Sequence, residues 1–87
     1  MSYEVRLRRA AQKELDSLSG PDFKAIAGAI SAQEQKPRPP RVKKLADSGL
    51  WRIRVGQYRI VYAIDDISQV IIIVRIASLK EDTYKRL

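Results

Sequence analysis

The chain has 87 residues and carries seventeen Lys plus Arg against ten Asp plus Glu, a net charge of +7. It holds no Cys and no His, which excludes a disulfide framework, a Cys-based metal site and the commonest general base. Its 45% hydrophobic content excludes a disordered basic tail.

The length suits one domain over residues 1–87, near the lower size at which a single core is stable. The longest apolar run, Val70 to Val74, is too short to span a bilayer, and no secretory segment opens the chain. A soluble cytoplasmic protein is the expectation.

Tyr3, Val5 and Leu7 alternate with Glu4 and Arg6, which predicts a short first strand. Good helix formers follow from Arg8 to Leu18, with Leu7, Ala11, Leu15 and Leu18 on one stripe. Ser19-Gly20-Pro21-Asp22 ends that helix and starts a second, with Pro21 near its first position and Asp22 at the positive end of its dipole. The second helix is predicted to run to about Gln35, to bury Phe23, Ile26, Ala27 and Ile30, and to stop before Pro37. So short a turn predicts an antiparallel helical hairpin.

Lys36-Pro37-Arg38-Pro39-Pro40-Arg41 is a stiff basic connector. It could serve as a polyproline ligand, but a rigid link from helix to sheet is the preferred reading. Between Lys36 and Arg59 stand eight basic residues and a single acid, Asp47. That excess points to a polyanionic partner, nucleic acid first. The basic residues fall on turns and strands, not on an amphipathic helix, which argues against a membrane surface.

Val42 to Leu45 is a short extended segment carrying Lys43 and Lys44, and Ser48-Gly49 turns the chain into its central hairpin. In Leu50-Trp-Arg-Ile-Arg-Val-Gly-Gln-Tyr-Arg-Ile-Val-Tyr62 two alternating runs meet at Gly56-Gln57, which suits a type II′ turn. Such a turn sets Val55 against Tyr58, Arg54 against Arg59, Ile53 against Ile60, Arg52 against Val61 and Trp51 against Tyr62. Trp51, Ile53, Val55, Tyr58, Ile60 and Tyr62 then share the core face. Arg52, Arg54 and Arg59 share the other. Like charges directly opposite destabilise a strand pair, and at roughly 6 Å with an effective dielectric near 20 the repulsion is about 2–3 kcal/mol. Two readings stand: the solvated face of an amphipathic hairpin, or a site awaiting an anion. Three arginines with no intervening acid favour the second.

Asp65-Asp66 lies in the next turn. Val70 to Ile76 is apolar until Arg75 and reads as a central strand, with Val70, Ile72, Val74 and Ile76 on one face and Ile71, Ile73 and Arg75 on the other. The tail, Ser78 to Leu87, is polar and carries Lys80, Tyr84, Lys85 and Arg86. The order β-α-α-β-β-β predicts an α+β fold, a helical hairpin on one side of a small, mainly antiparallel sheet.

Arginines on a sheet face can cradle a phosphodiester, because guanidinium donors match phosphate oxygens in pairs. They would also stabilise the charge of a pentacoordinate phosphorane. RNA supplies its own nucleophile, the 2′-hydroxyl, so such a nuclease requires no metal or other cofactor. For proton transfer the residues left are Lys80, Tyr84, Lys43 and Lys44. Positive surroundings lower the pKa of a Lys or Tyr. Tyr84 could instead stack on a base or simply pack.

These residues resemble the RelE/ParE superfamily of bacterial toxins, closer to the RelE branch. The resemblance rests on the opening strand and helix with Ala11, Lys13, Glu14 and Leu15, then Lys44-Leu45, then Trp51 to Tyr62. The apolar strand, Arg75 and the basic tail with Tyr84 complete it. It implies the toxin of a type II toxin–antitoxin pair, a ribosome-dependent mRNA endoribonuclease neutralised by an acidic cognate antitoxin. Ribosome and mRNA are then its targets, with no role for a membrane. The matching positions make Arg52, Arg54, Arg59 and Tyr84 candidate catalytic residues, and Lys80 joins them as the nearest basic residue after the last strand; Lys43, Lys44, Arg75, Lys85 and Arg86 are the candidate RNA-binding residues. Where the family has a basic or His-Arg step after the last strand, this chain has Ala77-Ser78-Leu79-Lys80. Lys80 would substitute from one position away. That departure leaves open a ParE-like inhibitor of DNA gyrase, or a degenerate module that only binds.

Overall fold

The structure is a computed structural model describing residues 2–45 and 47–79. Its elements are β1 (Glu4–Leu7), α1 (Arg9–Asp16), α2 (Gly20–Ala32), β2 (Lys43–Lys44), β3 (Trp51–Val55), β4 (Tyr58–Asp65) and β5 (Val70–Ser78). The strands form one five-stranded sheet in the order β1-β5-β4-β3-β2. All neighbours are antiparallel except β1 and β5. This is the expected α+β architecture, with a short parallel strand closing one edge.

The central hairpin has the register the alternation predicts, from Val55 opposite Tyr58 to Trp51 opposite Tyr62. Of the two loop residues, Gly56 alone is left-handed, at φ +58°, as a type II′ turn requires. Ala11, Ile26 and Ile30 from the helices close over Ile60, Tyr62, Ile71, Ile73 and Ile76. Trp51, Ile53, Val55 and Tyr58 pack around that cluster, so the hairpin's core face is the helix side.

Two expectations fail. Strict alternation in β5 breaks because Arg75 faces Val61 while Ile73 faces Tyr62, leaving Val74 as the extra residue of a β-bulge. The core therefore receives Ile71, Ile73 and Ile76, not Ile72 and Val74. The second correction concerns Phe23, which is 40% exposed. It lies in the first turn of α2, at the hairpin end of the sheet where the Tyr58 hydroxyl donates to Asp22 at 3.1 Å. Ile26 and Ile30 of the same helix enter the core cluster, and Phe23 stays outside it. The helix itself ends at Ala32, and residues up to Gln35 continue as turns.

β1 covers β5 only as far as Ile73, so the rest of that edge needs another partner. Glu14 of α1 supplies it. One carboxylate oxygen accepts the Ile76 N–H at 2.8 Å, and the other takes Arg75 Nε at 3.0 Å and Nη2 at 2.8 Å. The pair is mostly shielded from water, with side chains 23% and 25% exposed.

The connector is as rigid as its prolines suggest. The Tyr62 hydroxyl donates to the Pro37 carbonyl at 2.8 Å. Arg38 forms a two-pronged bond to Asp66, at 2.8 and 3.2 Å, and lies 4.9 Å from the Trp51 ring centre. The Tyr3 hydroxyl donates to the same carboxylate at 2.7 Å. The Arg38 bond, then the Tyr3 bond, hold Asp66 below the usual carboxylate range, and Asp66 in turn raises Tyr3.

Glu14→Ala should lower stability by about 2 kcal/mol, since it removes charge-assisted bonds to a partly buried arginine and strands an amide; thermal melts check this. Burial pushes the Tyr62 hydroxyl up to about 12. Unfolding restores an ordinary tyrosine near 10, so the stability Tyr62 contributes is whole below pH 10 and lost as pH rises towards 12. In denaturant titrations across that window, the wild type should lose stability more steeply than Tyr62→Phe.

Candidate nucleic-acid interface

On the sheet face away from the core cluster, Arg41, Lys43, Arg52, Arg54, Gly56 and Arg59 line an open basin of about 670 Å³. Alternation in β3 and β4 places the three arginines there, opposite in phase to Trp51, Ile53 and Ile60. Lys43 joins them because β2 pairs it with Arg52. Arg54 stands directly across from Arg59, and its Nε points to the Gly56 carbonyl at 3.4 Å. Val61 and Ala77, cross-strand partners of Arg52 and Arg59, are buried on this face.

Five cationic side chains thus share one basin, and among the described residues no carboxylate lines it. The arrangement can bind a group with several anionic oxygens, because guanidinium forks and an ammonium approach it from three strands and the connector. Among the described residues no cluster of three or more His, Cys, Asp or Glu could hold a metal. No described helix is long and apolar enough to cross a membrane.

Of the candidate residues, the structure brings Arg52, Arg54, Arg59 and Lys43 together. Lys44 alternates to the opposite face, where its ammonium lies 5.6 Å from the Trp51 ring centre. Arg75 is bound to Glu14 at the sheet edge, away from the basin lining. Lys80, Tyr84, Lys85 and Arg86 lie outside the described residues. Arg41 is the residue that sequence reasoning overlooked. Its signal was present, since 41 and 43 share a side at period two, but the prolines before it read as connector and concealed the pattern.

With this geometry in hand, comparison with known proteins is decisive. Residues 5–83 match the family described as ParE toxin of type II toxin-antitoxin system, parDE. The chain belongs to this toxin family. A search of curated proteins gives no match. Among solved structures, the toxin is 28% identical to a chain of the archaeal RelE-RelB complex from Pyrococcus horikoshii OT3, with 90% of this chain and 96% of that one covered and a TM-score of 0.80. It is 26% identical to a chain of the RelBE2 toxin-antitoxin complex from Mycobacterium tuberculosis, covering 90% and 99%, with a TM-score of 0.79. The isolated E. coli RelE toxin, at 18% identity, coverage of 98% and 98% and a TM-score of 0.77, shares the fold. The protein is a RelE/ParE superfamily toxin.

Arg54→Thr should stabilise the toxin at low salt by about 0.2–1 kcal/mol, because it removes the like-charge pair with Arg59. The same change should weaken binding to single-stranded RNA and reduce the slope of log affinity against log salt by about 0.7. Melting curves and a salt series of fluorescence-anisotropy titrations read the two effects separately.

Proposed function

We propose that the toxin is a metal-independent endoribonuclease that cuts mRNA on the ribosome and is neutralised by an acidic antitoxin. The observation that carries this reading is the basin lined by five cationic side chains, Arg41, Lys43, Arg52, Arg54 and Arg59, in a chain of the RelE/ParE superfamily. In the proposed reaction the 2′-hydroxyl of the substrate attacks the adjacent phosphorus. The P–O5′ bond breaks, leaving a 2′,3′-cyclic phosphate and a 5′-hydroxyl. Arg52, Arg54 and Arg59 hold the non-bridging oxygens and stabilise the added charge of the phosphorane, where fixed donors act without reorganisation. Arg41 and Lys43 guide the neighbouring phosphates.

Arginine does not give up its proton under ordinary conditions, so proton transfer falls to Tyr84 or Lys80. Their role is argued from chemistry alone: surrounding positive charge favours the deprotonated form of either. Lys85 and Arg86 would add charge along the RNA. Lys44 and Arg75, engaged with Trp51 and Glu14, would contribute to RNA binding only from outside the basin. A second reading, inhibition of DNA gyrase without RNA cleavage, is favoured by the match to the parDE toxin family and by Leu79 where a basic residue is expected.

Mapping mRNA ends after incubation with programmed ribosomes tests the first reading, and a supercoiling assay tests the second. Wild type should cut, and Arg59→Ala should lose cleavage and growth arrest while keeping the wild-type circular-dichroism spectrum. Supercoiling inhibition without cleavage would reverse the assignment. For Tyr84, loss of a proton-transfer group lowers the rate by about 10²–10⁴-fold. Single-turnover cleavage should fall by that factor in Tyr84→Phe; wild-type speed in Tyr84→Phe with slow Tyr84→Ala would make the ring a stacking platform instead.

A further inference from the structure

The basin on the open face offers one kind of contact. Apart from Gly56, its lining among the described residues is Arg41, Lys43, Arg52, Arg54 and Arg59. Guanidinium and ammonium groups are donors only. None of these side chains brings an acceptor to a ribose hydroxyl or an aromatic ring to a base, the contacts by which proteins single out RNA. The described lining therefore reads phosphate oxygens and leaves sugar and base unread. Its charge is also spread out. Neighbouring strands lie about 4.8 Å apart, and alternate residues of one strand about 6.6 Å. Lys43 pairs with Arg52 and Arg54 with Arg59, so the cations extend over three strands. A lone phosphate engages one part of that array, whereas a chain of linked phosphates extends across it.

We infer that the basin also binds free condensed phosphates, as inorganic chains or as the tail of a nucleoside triphosphate, and that these compete with RNA for it. The inference rests on the proposed reading of the basin as a phosphate site, but it does not require that the toxin cut RNA. In RNA a sugar separates consecutive phosphates; in a condensed chain a single bridging oxygen does. The condensed chain thus brings more anionic oxygens to the same array, and it forfeits nothing where sugar and base are unread. Arg54 directly opposite Arg59 is repulsive without an anion between them. A ligand that offsets this repulsion binds the folded chain alone and so stabilises it. While seated there it covers the arginines assigned to the scissile phosphate, which makes it an inhibitor.

The test applies titration calorimetry and thermal melts to the full-length toxin at constant ionic strength, with sodium tripolyphosphate, ATP, AMP and orthophosphate as probes. Tripolyphosphate and ATP should bind one to one, raise the melting temperature and displace a labelled single-stranded RNA in anisotropy titrations. AMP and orthophosphate should bind about tenfold more weakly or worse, since each engages fewer of the guanidinium donors. Arg41→Ala should weaken tripolyphosphate binding about tenfold, the low end for a lost charge-assisted hydrogen bond. Lys24→Ala removes the same charge from an exposed position of α2, on the helix side of the sheet, and should leave the affinity unchanged. Equal affinities for tripolyphosphate and ATP support the phosphate chain alone as the ligand; tighter tripolyphosphate supports the inorganic chain as its source. AMP that binds as tightly as ATP would overturn the inference. So would equal losses in Arg41→Ala and Lys24→Ala, which would mark bulk charge, or tripolyphosphate that leaves bound RNA in place. Tripolyphosphate binding without cleavage on programmed ribosomes would sink the nuclease reading and leave the inference standing; cleavage without tripolyphosphate binding would do the reverse.

Discussion

The pairing of β3 with β4 is the constraint on which everything else depends. Period-two alternation on both strands, joined by the Gly56 turn, forces the residues into two sets that cannot mix. One set, from Trp51 to Tyr62, gives the helices a surface to bury. The other is basic and places Arg54 directly against Arg59. The hydrophobic term dominates: burying several aliphatic and aromatic side chains at about 1.5–3 kcal/mol each outweighs a single like-charge repulsion of about 2–3 kcal/mol. The arginine cluster persists because the register that builds the core also assembles it.

The two faces then acquire different characters. The basic face is open, cationic and suited to phosphate, whereas the helix face ends in an apolar groove. The register of the hairpin sets the two on opposite sides of one sheet.

Charges outside the basin serve the architecture. Glu14 replaces a missing strand at the β5 edge and holds Arg75. Asp66 gathers Arg38 and Tyr3, joining the connector to the turn before β5 and to the region just before β1. Lys44 rests near Trp51 rather than beside Lys43. Adjacent residues on one strand point in opposite directions, so a run of basic residues in the sequence divides into a ligand-facing half and a structural half.

The sequence by itself determined the hairpin, its register, the II′ turn, the two helices and the grouping of Arg52, Arg54 and Arg59. Each follows from local periodicity and from turn chemistry that acts over a few residues. Tertiary structure alone decided the rest. The bulge at Val74 arises from how β5 fits β4, and it changes which isoleucines enter the core. Phe23 stays outside the cluster that Ile26 and Ile30 enter, which helical periodicity alone does not decide. Whether Arg75 faces a ligand or a carboxylate depends on Glu14, sixty-one positions away. Arg41 lines the basin and Gln33 is buried through the tertiary path of the chain between helix and sheet. Alternation specifies a side of a strand; what stands on that side is supplied by distant parts of the chain.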